Sequence, residues 1–132
     1  MRVVLDTNVI VAAFASRGIC EAVFSVCLDA HEIVLSRHIL DEVHRNLMKK
    51  LKMPRSRADQ IRQFLQEHAT IVSPLDVPSS SCRDQNDLPV LGTLRAAKAQ
   101  CLITGDKDLL TLGDFEDIPI LSPKAFYDRL LK

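Results

Sequence analysis

Apolar residues run along this chain in two rhythms. Five short runs, Val3 to Leu5, Ile33 to Leu35, Thr70 to Val72, Cys101 to Thr104 and Ile118 to Leu121, are nearly continuous and rich in β-branched residues. Runs this short and this uniformly apolar predict strands covered on both faces, as in a parallel sheet. Between them apolar residues recur at three- and four-residue steps. That spacing predicts helices over Val9 to Ser16, Ile19 to Ala30, Ser36 to Lys50 and Ser56 to Glu67. Further helices are expected from Asp87 to about Ala99, briefly after Asp106, and from Ser122 through Phe126, Tyr127, Leu130 and Leu131. Ser36 is a ready N-cap, Pro54 a stop, and Pro89 is tolerated in a first turn. Strands alternating with helices argue for one α/β domain, residues 1–132, with a mainly parallel sheet flanked by helices. Pro119 makes the last strand an expected edge, because proline cannot donate to the ladder. The polar stretch from Ser73 to about Asn86 is a loop of the length that commonly borders a functional site.

Composition changes this picture little. At 132 residues, 47% apolar and 26% charged, the chain can build its own core. The longest apolar run, Val9 to Ala15, is too short to cross a bilayer, and Asp6, Thr7 and Asn8 interrupt any leader-like pattern. A cytoplasmic protein without a membrane segment is expected. Cys20, Cys27, Cys82 and Cys101 show no CxxC spacing and read as buried or incidental thiols. His31, His38, His44 and His68 show no zinc-type pairing and read as solvated. Seventeen basic and seventeen acidic residues cancel, but they are unevenly spread. Basic residues crowd the middle, including Arg45, Lys49, Lys52 and Arg55, while acids load the C-terminal half. Basic helices are most simply solvated faces; the alternative is a track for a phosphate backbone.

The acids carry the chemistry. Asp6 and Asp106 each follow an apolar strand, and parallel pairing puts those strand ends on one edge of the sheet, where ligands of α/β folds collect. Asp87 opens a helix after the long loop, and topology alone leaves its edge undecided. Each of the three has a plain alternative as a helix N-cap, worth about 1 kcal/mol. Asp84 and Asp108 read equally as a loop acid and a first-turn acid favoured by the helix dipole. Asp41 and Glu42 fall on opposite flanks of their helix's apolar stripe, so periodicity does not choose between them. Caps explain less well why Thr7-Asn8 and Thr104-Gly105 crowd polar groups around two strand exits. Oxygen donors in that arrangement suit a hard cation such as Mg²⁺ or Mn²⁺, and without one they repel each other and raise a carboxyl pKa.

Four blocks, Val3-Val4-Leu5-Asp6-Thr7-Asn8-Val9, Leu40-Asp41-Glu42-Val43, Arg83-Asp84-Gln85-Asn86-Asp87 and Leu102-Ile103-Thr104-Gly105-Asp106-Lys107-Asp108, stand in the order found in PIN-domain ribonucleases. The chain resembles that family over its whole length, and most closely the toxins of bacterial and archaeal toxin–antitoxin pairs. The resemblance implies a five-stranded sheet of order 3-2-1-4-5 and a metal-dependent endoribonuclease. It places the catalytic and metal-binding acids at Asp6, Glu42, Asp87 and Asp106, thereby choosing Glu42 over Asp41, with Asn8, Thr104 and Asp108 in support. It implies one or two Mg²⁺ or Mn²⁺ ions, RNA as substrate, a small antitoxin as partner and a homodimer. Arg45, Lys49 and Lys52 are the candidates for holding the RNA. The third block departs from the family's habit of two adjacent acids followed by Asn, since Asn86 and Leu88 flank Asp87; weaker support around one ligand is expected. The rival is a PIN-like scaffold that binds RNA or protein without cleaving. A phosphatase using Asp6 as nucleophile would want a second Asp where Asn8 stands, and a phosphoacceptor domain lacks its first acidic pair.

Overall fold

A computed structural model describes residues 1–130; Leu131, expected on the last helix, lies outside them. The strands are β1 (Arg2–Leu5), β2 (Glu32–Ser36), β3 (Thr70–Val72), β4 (Cys101–Ile103), β5 (Asp114–Phe115) and β6 (Ile118–Leu121). The helices are α1 (Thr7–Ala15), α2 (Ile19–Ala30), α3 (Arg37–Lys50), α4 (Arg55–His68), α5 (Leu88–Ala97), α6 (Lys107–Leu112) and α7 (Pro123–Leu130). They flank one sheet of order β3-β2-β1-β4-β6-β5. Parallel pairing joins β1 to β2 and β4, with Val3 opposite Ile33 and Val4 opposite Leu102. Val3, Val4 and Leu5 are wholly buried, as continuous apolar strands between two layers require.

The expected order 3-2-1-4-5 is met once β6 is counted fifth, and one short strand is added outside it. β5 pairs antiparallel with β6 through a tight turn in which Glu116 and Asp117 both have positive φ, at 51° and 68°. A two-residue turn of that hand suits a twisted hairpin. Two-residue strands leave no periodic signal, so β6, with Pro119, is covered by β5 where an edge was expected. α5 stops at Ala97, two residues earlier than its spacing suggests, because Lys98 turns left-handed with φ 49°. Among the described residues no single helix is long and apolar enough to cross a membrane.

The loop after β3 is fastened to α5. Leu75 N–H donates to the Gly92 carbonyl at 3.0 Å, and Arg95 Nη1 donates to the Asp76 carbonyl at 2.6 Å. Gly92 permits this approach because a Cβ there would stand 2.2 Å from the Leu75 carbonyl oxygen. Two effects of Gly92→Ala oppose each other. Helix propensity favours Ala by about 1 kcal/mol, while a clash with backbone costs about 1–3 kcal/mol and breaks the Leu75 bond as well. Net destabilisation is expected in urea unfolding, and a stabilised variant would show that the loop is not held here.

Candidate active site

β1 and β4 are neighbours, so the residues that follow them are neighbours too. Asp6 N–H still donates to the Ile103 carbonyl at 3.0 Å, which sets Asp6 beside Thr104. The Thr104 hydroxyl, fully buried, donates to Asp6 Oδ2 at 2.7 Å and accepts from Asp106 N–H at 3.0 Å. One hydroxyl thus ties both strand-end acids together. Asp6 Oδ1 accepts from Thr7 N–H at 2.8 Å, and Asp106 Oδ1 accepts from Asp108 and Leu109 N–H at 2.8 and 3.2 Å. Both acids are therefore N-caps, as the plain alternative has it, and both also line a cleft of about 210 Å³.

Asp87 is different. It occupies the N-cap position of α5, yet its side chain caps nothing, and its Oδ2 is buried without a hydrogen-bond partner among the described residues. Pro89 in the first turn removes one of the N–H groups a cap would bind. Burial pushes its carboxyl up to about 7, helped by the charges of Asp106, Asp84, Asp6 and Asp108. Burial likewise raises Asp6, against the lowering pull of its bonds from Thr104 and Thr7, with Asp106 and Glu42 adding to the rise.

The third dimension separates Asp41 from Glu42. Asp41 pairs with Arg62 on α4, away from the cleft. Glu42 faces the cleft, and its Oε1 accepts from the Thr7 hydroxyl at 3.0 Å and stands 3.2 Å from His38 Nε2. The same lining brings in Asn8, Asn46, Lys50, Asp84 and Asn86 beside Asp6, Thr7, Glu42, Asp87, Val90 and Asp106. Asp84 folds the end of the long loop by accepting from Asn86 N–H at 2.9 Å. The loop thus borders the cleft, and Asp87 comes to the same edge as Asp6 and Asp106.

Other residues named from the sequence stand away from the cleft lining. Arg45, Lys49 and Lys52 are exposed and absent from the lining, where Asn46 and Lys50 stand instead. Those two follow Glu42 at four and eight residues, a helical stripe that is legible once Glu42 is chosen. Asp108 sits in the first turn of α6 outside the lining. The histidines are not simply solvated. His44 bonds Asp59 at 2.6 Å, His68 the Phe64 carbonyl at 2.9 Å and His31 the terminal amine at 3.2 Å, because helix-flank and chain-end positions put them beside partners. The cysteines are free, three of them buried, as expected.

Among the described residues no three Asp, Glu, His or Cys side chains stand placed to grip one metal ion. The donor chemistry nevertheless fits one: carboxylates dominate, one buried oxygen lacks a partner, and two acids are held protonated more readily than in water.

A cluster of acids at the carboxyl edge of a parallel α/β sheet defines the class of protein. Residues 2–108 match the family model of the PIN domain, and the chain belongs to that family. No curated protein matches it in sequence. Among solved structures it is similar to VapBC2 from Rickettsia felis bound to a DNA fragment from their promoter, at TM-score 0.63 and 14% identity over 92% of this chain and 98% of that one. It is similar also to VapBC-1 from nontypeable Haemophilus influenzae, at TM-score 0.62 and 19% identity over 94% of this chain and 99% of that one. At such identities the likeness is one of fold.

Proposed function

We propose that this protein is a metal-dependent endoribonuclease, the toxin of a toxin–antitoxin pair, acting in the cytoplasm. The observation that carries the reading is the partnerless buried oxygen of Asp87 in a cleft shared with Asp6, Glu42 and Asp106. A buried carboxylate without a donor is costly, and sites that accept the cost are commonly ones that bind or react. Those four acids would hold Mg²⁺ or Mn²⁺. When bound, such a cation polarises a phosphodiester and eases deprotonation of the attacking water.

The chain's own groups do the positioning. Thr104 aims Asp6 Oδ2 and steadies the turn carrying Asp106. Thr7 fixes one oxygen of Glu42 and leaves the other for water or cation. Asp87, raised towards neutrality, can exchange a proton near physiological pH. Asn46 and Lys50 on the cleft wall would meet the RNA backbone, with Arg45, Lys49 and Lys52 contributing charge from farther out.

An antitoxin partner is in keeping with the VapBC complexes among the structural neighbours. A groove of about 250 Å³ between α1 and α4, lined by Phe14, Ile61 and Phe64 with Arg57 and Gln60 beside them, suits the apolar face of a partner segment. Homodimerisation belongs to the same reading.

The scaffold alternative draws on the spread of the four acids, which do not stand as a ready-made metal cage. Purified protein incubated with a mixed pool of labelled RNAs separates the two. Cleavage is expected with Mn²⁺ or Mg²⁺, none with chelator, and none from Asp6→Asn. Intact RNA under every metal, with the protein folded and free of partner, would leave the scaffold standing.

A further inference from the structure

A second concavity opens beside the acidic cleft. About 390 Å³ in volume, it is walled by His38, Pro74, Leu75, Val77, Leu88 and Pro89, with Asp76 completing the lining. All of these residues follow β2 or β3 or open α5, so they share the sheet's carboxyl edge with the acids. The two spaces touch at two points. His38 lines the second and stands 3.2 Å from Glu42 in the first, and Leu88 is the chain neighbour of Asp87.

Three properties describe an occupant. The volume lies at the small end of ligand pockets, with room for one planar group and little more. The walls are two prolines, three aliphatic residues and a histidine, a mostly apolar surface on which a flat π-system can lie. Two of the lining residues are polar, His38 and Asp76; the Asp76 carboxylate makes no hydrogen bond among the described residues and is a free acceptor, its main chain alone being engaged by Arg95. Leu75 is 52% exposed at the rim although its backbone is pinned to Gly92, so the apolar rim is held open to solvent on a rigid support. Loops that flex can hide such a leucine; this one is fastened.

We propose that this pocket receives a nucleobase flanking the scissile phosphate, and that Asp76 favours guanine there. The proposal rests on the nuclease reading for the word scissile, and on the pocket itself for the base. RNA is read chiefly through splayed single-stranded bases that stack and bond by their edges. Guanine's Watson–Crick edge places two N–H donors side by side, N1–H and N2–H, which matches the two oxygens of a carboxylate. Phosphates in the acidic cleft would carry no sequence information, and the adjoining pocket supplies it.

Mapping the ends of RNA fragments from a random pool tests this. In the wild type guanine is expected to be enriched at one fixed position beside the cut, by roughly fivefold or more, the range of one good bidentate contact. Asp76→Asn, an exposed change that keeps the backbone bond to Arg95, should flatten that position while total cleavage persists. Val77→Phe, which fills the pocket, should flatten it too, with a melting curve showing that the variant is folded. No guanine enrichment in the wild type, or the same enrichment in both variants, overturns the proposal. Should the protein cut no RNA at all, methyl NMR with guanosine 5′-monophosphate decides the pocket separately. Shifts at Leu75, Val77 and Leu88 that uridine 5′-monophosphate does not produce would support it, and no shift at millimolar nucleotide would overturn it.

Discussion

Asp87→Asn is expected to abolish metal-dependent cleavage and, in metal-free buffer at pH 8, to raise the melting temperature. The two effects come from one carboxylate. In the folded chain its pKa stands near 7, against 3.8 for the ordinary group, so the native state holds this proton more tightly than the unfolded state does. Stability therefore falls as pH rises between about 4 and 7, and the cost of the charge is complete above about 7. The amide carries no charge and escapes that cost. A gain of roughly 3–10 °C at pH 8 is expected for a domain of this size, shrinking towards nothing at pH 5. Millimolar Mn²⁺ should narrow the gap. A cation at a hundred times its dissociation constant stabilises the wild type by about 2.7 kcal/mol, and the variant, short of one ligand, gains less. Melting curves at pH 5 and pH 8, with and without Mn²⁺, measure all four corners. Equal pH dependence in wild type and variant would remove Asp87 as the titrating group.

Thr104→Val is expected to be the most damaging change that leaves the acids themselves intact. Valine matches threonine in shape, so the core keeps its packing, but the hydroxyl that serves Asp6 and Asp106 is gone. A hydrogen bond to a charged group contributes about 1.5–3 kcal/mol, and a buried donor left without an acceptor adds to the loss. The hydroxyl also pulls down the raised Asp6 carboxyl, so its removal should drive that group further up. Denaturant unfolding should show a loss of about 2–4 kcal/mol, with cleavage depressed and its pH profile moved to higher pH. Thr104→Ser keeps the oxygen and should recover most of both. If the valine variant matches the wild type while the serine variant is impaired, the methyl rather than the hydroxyl matters at this position, and the bridge between the strand ends is incidental.

The cap alternatives raised by the sequence resolve unevenly, and the unevenness is informative. Asp6 and Asp106 do cap α1 and α6, so capping and lining the cleft are compatible uses of one carboxylate with two oxygens. Asp87 stands at a cap position and caps nothing, which separates it from the other two. Asn86 and Leu88 leave it without an adjacent acid, and Asp84, three residues back, supplies the nearby charge through the fold of the loop.

Local pattern determined a good deal. Uninterrupted apolar runs can only be buried on both faces, so β1, β2, β4 and their parallel pairing were readable, as was the cap of α3, where Ser36 Oγ accepts from Ile39 N–H at 3.3 Å. The strand-exit acids followed from the same runs, since a charge that ends a core strand must sit at its edge. Four spaced motif blocks were enough to point to the PIN family. What distance along the chain hides, only the tertiary structure decided. Glu42 and Asp41 are adjacent and chemically equivalent; it is the packing of α3 against α1 on one side and α4 on the other that gives one to Thr7 and the other to Arg62. The edge on which Asp87 lies depended on how a fourteen-residue loop returns, and that loop is held by contacts to Gly92 and Arg95 with no periodicity to announce them. The basic residue that reaches the cleft, Lys50, and the pocket behind Glu42 likewise arise where separate elements meet. Periodicity reports which face of an element is buried; which neighbour buries it is a property of the assembled fold.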